Sequence, residues 1–181
     1  MSVTPIRPPP PDPASLPYRP CVGVLLLNAR GEAWTGRRIH LGPEGPPAHR
    51  WQLPQGGIDP GEDPAAAALR ELAEEAGTGA AELLAEYPDW LAYDFPPHAF
   101  AAQKGRFFRG QKQKWYALRF TGRDDDFNLA AHMPPEFDAW AWRPLEELPS
   151  LIVPFKRPVY DALVAHFRPL ALTLAARRDA S

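Results

Sequence analysis

The sequence predicts a single mixed α/β or α+β domain, and three observations carry that reading. Short apolar runs ended by turn residues come first, a capped amphipathic helix follows, and aromatic-rich strands then lead to a closing helix. A chain of 181 residues suffices for one core and would crowd two. Its 45% hydrophobic and 23% charged residues are the proportions of an ordinary globular protein.

Residues 1–17 hold seven prolines, including Pro8 to Pro11, which bar a helix or sheet interior and predict an extended arm. Val22 to Leu27 reads as a buried strand ended by a turn from Asn28 to Gly31, with Glu32 to Arg38 returning. Leu41 to His49, rich in Gly and Pro, reads as a loop. Asp63 then caps a helix that starts at Pro64 and stops at Gly77. Ala65, Ala68, Leu69, Leu72, Ala73 and Ala76 give it an apolar face. Gln113 to Phe120 and Phe137 to Trp142 look like strands, Leu145 to Leu148 like a helical turn, and Pro158 to Phe167 like the last helix. The expected organisation is an arm over 1–17, a domain over 18–170 and a tail over 171–181.

Composition excludes several classes. One cysteine, Cys21, allows no disulfide framework and sits in an apolar run, as a buried inert thiol does. No stretch reaches the ~18 apolar residues of a membrane span, and no signal peptide opens the chain, so the expected location is the cytoplasm. Formal charge is −2, which announces no nucleic-acid binder, and no DNA partner is expected. Between Asp94 and Asp124, however, seven Lys and Arg residues occur without one acidic residue, and such a region attracts anions.

The chemistry concentrates on the first helix. Glu71, Glu74 and Glu75 stand at i, i+3 and i+4 and share one sector beside the apolar face. Arg70 alone cannot neutralise three carboxylates. An oxygen-only cluster suits Mg²⁺ or Mn²⁺, whereas the alternative is a solvated acidic face. The loop from Gly56 to Glu62 carries glycines that permit close backbone approach to a metal or a phosphate.

Loop and helix together resemble the Nudix box: Gly56, five residues, Glu62, seven residues, then Arg70, Glu71, Leu72, Ala73, Glu74, Glu75, Ala76 and Gly77. Thr78 departs from the large aliphatic residue usual at the end of the box. The resemblance implies an α/β/α sandwich with a mixed sheet, the box forming a loop–helix–loop that binds more than one divalent cation. It implies Glu71, Glu74 and Glu75 as metal ligands with the Gly56 carbonyl. Arg70 would orient a glutamate, Glu62 would support the loop, and Gly77 would close the helix.

The resemblance extends to the bacterial RNA pyrophosphohydrolase group over residues 18–168. It is carried by Tyr18 to Pro20, Trp51 to Gly57, Gly110 to Trp115, Pro135 to Asp138 and Phe155 to Arg157. That group is similar to the dinucleoside polyphosphate hydrolases. Leu41 to His49 is longer than in shorter members, and Pro97 to Phe108 diverges. The implied reaction is metal-dependent attack of water on a phosphoanhydride, with an RNA 5′ end or a dinucleoside polyphosphate as substrate. Glu136 would be a further metal-binding carboxylate. Glu74, Glu75 and Glu136 are the candidates for general base. A non-catalytic nucleotide-sensing module is the alternative from another class, and the intact glutamate set speaks against it.

Substrate contacts fall on cations and aromatics. Lys112 and Lys114 alternate on a strand and point the same way, towards phosphate in this reading. Arg37 and Arg38 are consecutive, so one of them faces the site. Arg19 is a similar candidate, and Trp51 and Phe155 are candidates for stacking on a base.

Overall fold

A computed structural model describes residues 12–39, 49–96, 102–103 and 106–179 of the chain. The proline arm up to Pro11, the stretch from Leu41 to Ala48, and Lys104 lie outside the described residues.

The elements run β1 (Tyr18–Leu27), β2 (Ala33–Arg38), β3 (Trp51–Gln52), β4 (Gln55–Gly57), α1 (Pro64–Ala76), β5 (Ala81–Glu86) and β6 (Leu91–Asp94). After them come β7 (Ala102–Gln103), β8 (Arg106–Phe107), β9 (Gly110–Phe120), β10 (Phe137–Arg143), α2 (Leu148–Leu151) and α3 (Arg157–Asp179). The main sheet has the order β10-β2-β1-β9-β5, with β3, β4 and β6 attached to β2, β1 and β9.

Its centre is the parallel pair β1 and β9, in register from Tyr18 opposite Gly110 to Leu27 opposite Arg119. Parallel pairs need cover on both faces, and β1 is buried without interruption from Cys21 to Leu27. Val22, Val24 and Leu26 pack with Ala68 and Leu72 of α1, whereas Leu25 and Leu27 pack with Leu163 and Phe167 of α3. Each such side chain contributes about 1.5–3 kcal/mol by leaving water. The result is a helix–sheet–helix sandwich with a mixed sheet, as the resemblance implied.

A fork in the sheet makes room for the site. Among the described residues, β1 and β2 pair only at Leu27 and Ala33, beside their turn. Further out, β4 pairs with β1 at Cys21 to Gly23, and β3 with β2 at Gly36 and Arg37. The segment from Trp51 to Gly57 therefore fills an opening hairpin. The turn is held by Asn28, whose Oδ1 accepts from the amides of Arg30 at 2.8 Å and Glu32 at 3.0 Å. Gly31 adopts φ +73° there, and a side chain on it would collide with the Ala171 carbonyl of α3.

Helix α1 has the expected ends. Asp63 accepts from the Ala66 amide at 3.0 Å, and Gly77 at φ 72° returns its amide to the Ala73 carbonyl. Its buried face is rotated from the expected one. Ala67 and Glu71 are buried, whereas Leu69 is 42% exposed. Glu71 thus lies within the packed face rather than beside it, because the β4 backbone covers that side. Helix α3 is longer than expected. The expected tail from 171 instead continues the helix to Asp179, with Ala171 and Leu174 buried on the stripe of Leu163 and Phe167. Strands β5 and β6 were not anticipated. No helix among the described residues is long and apolar enough to cross a membrane.

Candidate active site

The loop before α1 is organised by one guanidinium. Arg70 donates from Nε and Nη2 to the two oxygens of Glu62, both at 2.8 Å, and from Nη2 to the Gly57 carbonyl at 2.9 Å. Its Nη1 donates to Glu71 Oε1 at 2.8 Å and reaches Glu74 at 3.4 Å. This bidentate grip, helped by the Asp59 amide, pulls the Glu62 carboxyl down to about 2. Glu62 and Arg70 therefore do structural work, binding loop to helix.

The glutamates divide by environment. The Glu71 carboxylate, 8% exposed, lies against the Gly56 backbone so closely that any side chain at 56 would displace it. Burial raises its proton affinity, and the Arg70 charge opposes that rise. Glu75 accepts a hydrogen bond from the Gln55 amide at 3.0 Å. Desolvation, then repulsion by Glu136, pushes its carboxyl well above the ordinary range, against that amide's pull. Glu136 lies just before β10, its carboxylate 3.0 Å from Arg38 Nη2. Glu74 has its side chain 40% exposed and, unlike Glu71 and Glu75, does not line the cavity.

A cavity of about 430 Å³ gathers Glu71, Glu75 and Glu136 with Arg19, Arg38 and Lys156. Gln52, Gln55, Gln111, Tyr93 and Phe95 complete much of its wall. Arg19 packs its guanidinium over Gly57, where a Cβ would strike it. Lys156, only 6% exposed, stands 5.4 Å from the centroid of the Tyr93 ring. Cys21, buried beside the site on β1, has its thiol pushed up to about 11 by desolvation, which makes it inert.

Several expected contacts are not brought here. Strand alternation turns Gln111 into the cavity and sends Lys112 and Lys114 to the other face. Lys114 Nζ pairs with Glu86 and donates to the Pro88 carbonyl, while Lys112 stands over Trp90. Arg37 faces away from Arg38 and is held by Asp138 at 2.7 Å. Trp51 lies against Arg37 and Arg143, while Gln52, its neighbour on β3, faces the cavity. Phe155 packs behind Tyr93, 5.6 Å between ring centroids, as part of the core. The residues that sequence reasoning did not assign are Tyr93, Phe95, Lys156 and the glutamines. Lys156 lay inside a quoted motif and Gln111 beside the expected lysines, whereas β6 had no local signal.

Among the described residues, no three carboxylate, imidazole or thiol side chains form a group ready to hold a metal ion. Arg70 takes Glu71 and Arg38 takes Glu136 instead. The donor chemistry nevertheless suits a hard divalent cation, because Glu75 and Glu136 bring two carboxylates together in one cavity and, among the described residues, only the Gln55 amide donates to Glu75.

A NUDIX domain model matches residues 17–163. The chain belongs to the Nudix family. Its Nudix box is the loop and helix that run from Gly56 to Thr78. The RNA pyrophosphohydrolase of Brucella abortus (strain 2308) is 56% identical over 168 residues, which cover 88% of this chain and 93% of that protein. The protein of the same name from Acidiphilium cryptum is 55% identical over 159 residues, with 88% and 95% covered. Among solved structures, a C. elegans Ap4A hydrolase binary complex superposes with a TM-score of 0.56 at 21% identity, covering 83% of this chain and 98% of that one. That likeness speaks for the Nudix fold alone. Nudix hydrolases generally use divalent metal ions.

Proposed function

We propose that this Nudix protein is an RNA 5′-pyrophosphohydrolase that releases pyrophosphate from a triphosphorylated RNA end and leaves a monophosphate. One observation carries the reading: 56% identity across almost the whole length of an RNA pyrophosphohydrolase. The cavity supports it, since Arg19, Arg38 and Lys156 face Glu71, Glu75 and Glu136 across one space.

Glu71, Glu74, Glu75 and Glu136 would hold Mg²⁺ or Mn²⁺, with the Gly56 carbonyl beside them. The bound ions would neutralise phosphate charge and make a water more acidic. Arg19, Arg38 and Lys156 position the phosphate oxygens and stabilise the charge that develops on the leaving group. Glu75, which lines the cavity beside Glu136, takes the proton from the attacking water in this reading. Tyr93 and Phe95 offer aromatic surface to the nucleoside at the cavity mouth.

The test compares turnover of triphosphorylated RNA and diadenosine tetraphosphate with Mg²⁺ and with chelator. The expected result is monophosphorylated RNA and pyrophosphate, abolished by chelator, with the dinucleotide cleaved more slowly. RNA turnover at background beside brisk dinucleotide cleavage would reassign the substrate.

A further inference from the structure

Gln111, Gln113 and Trp115 alternate along β9 and share the face turned towards α3. Gln111 lines the cavity, Gln113 lies behind it at 1% exposure, and Trp115 is wholly buried. Gln55 lines the cavity from β4. The strands set these groups side by side, because Gly23 of β1 lies opposite Gln55 on one side and Trp115 on the other. A side chain at 23 would overlap the Trp115 ring, so the glycine lets the indole lie there.

The indole Nε1 of Trp115 donates to Gln113 Oε1 at 3.2 Å. An indole nitrogen can only donate, so this bond fixes which end of the Gln113 amide is oxygen. Its Nε2 then donates to Gln111 Oε1 at 3.0 Å and to Gln55 Oε1 at 3.3 Å. With both of those oxygens engaged, the NH₂ groups of Gln55 and Gln111 find no acceptor among the described residues. They are what these two side chains have left for the cavity.

We infer that Trp115, acting through Gln113, sets the hydrogen-bond polarity of this wall and holds Gln55 and Gln111 as donors to the non-bridging oxygens of the polyphosphate. Gln55 and Gln111 touch substrate; Gln113 and Trp115 are positioning residues. Without the indole, Gln113 is free to turn over. Its oxygen then attracts the NH₂ of Gln111, whose own oxygen turns towards phosphate and repels it. The inference rests on the cavity being the polyphosphate site proposed above.

Three variants and one combination test it, by steady-state kinetics on triphosphorylated RNA with Mg²⁺ and by thermal melting. Gln111→Met keeps the length of the side chain and removes the donor at the cavity wall. It should raise KM about fivefold, with kcat within about twofold and only a small fall in Tm, since Gln113 Nε2 keeps Gln55 Oε1 as an acceptor. Trp115→Phe keeps a ring against Tyr160 and removes the N–H, with a similar rise in KM. Gln113→Leu removes the relay, and adding Trp115→Phe to it should raise KM no further. Additive KM effects in that cycle, or an active Gln111→Met enzyme of wild-type KM, would overturn the inference. If the two core variants do not fold, Gln111→Met alone decides it. A wild-type protein with no turnover of this RNA, yet active on another nucleotide, would instead remove the functional reading and this inference with it.

Discussion

The backbone of Gly56 rests directly on the carboxylate of Glu71, with no room for a Cβ between them. The contact explains why a glycine stands at the head of the box although its backbone needs no positive φ. The space belongs to the carboxylate. Gly56→Ala should therefore push Glu71 off the cavity or lift β4 from β1. Displacement of about 1 Å in such a site costs about 10²-fold in rate, and kcat/KM should fall by that order. Circular dichroism should remain that of the folded protein. A variant of near-wild-type kcat/KM would show that Glu71 is not needed where it stands.

What was legible in the sequence follows from which interactions are local. Asp63, Pro64 and Gly77 wrote the ends of α1 because capping involves only neighbours along the chain. Strand alternation at Lys112 and Lys114 was read correctly, but the face they occupy is set by pairing of β9 with β1 and β6, which no local pattern contains. The same holds for Leu69 and Glu71, whose burial depends on the β4 backbone rather than on helical spacing. Tyr93 and Phe95 reach the cavity because Leu91 to Asp94 pairs with Gln113 to Gly110, a contact between segments about twenty residues apart. The expected tail failed for a similar reason. The β1–β2 turn at Gly31 packs on Ala171, and that distant contact extends the helix.

Arg70 joins Glu62, Gly57 and Glu71 through a planar fork that lysine cannot reproduce. Arg70→Lys keeps the charge and loses most of these bonds, leaving two partly buried carboxylates poorly matched. Loss of charge-assisted hydrogen bonds of this kind costs about 2 kcal/mol, which urea denaturation would read as a lower midpoint at unchanged slope. Activity should fall as well, since Glu71 loses the group that orients it. An unaltered midpoint would mean that the loop is held by β4 pairing alone.

The two faces of the sheet make opposite predictions for cations close in sequence or in charge. Lys112 lies over Trp90, away from the cavity, and Lys112→Ala should leave kcat/KM within about twofold of wild type, as exposed substitutions remote from a site do. Arg38 borders the cavity and pairs with Glu136. Arg38→Ala should raise KM for triphosphorylated RNA by about tenfold or more through loss of a charged phosphate contact. Kinetics at two salt concentrations would separate the effects, since only the Arg38 variant should lose part of the salt dependence of KM. Equal losses from both variants would put the substrate on the other face.

Glu75 sets function against stability, and pH exposes the conflict. Its folded carboxyl binds a proton more tightly than the ordinary value of 4.5, because it is desolvated and faces Glu136. Ionising it therefore penalises the folded state, a cost absent below the unfolded value and complete above the raised folded one. In chelator, Glu75→Gln and wild type should melt together near the bottom of that range. The variant should become progressively the more stable as pH rises through the raised folded value. Adding Mg²⁺ at neutral pH should reverse the order, since a cation that binds the folded wild type stabilises it by mass action. Turnover should fall by about 10²–10⁴-fold in the variant, the usual contribution of a general base. A melting difference that stays constant with pH and ignores Mg²⁺ would show that Glu75 carries no strained charge, and the metal assignment would lose its main support.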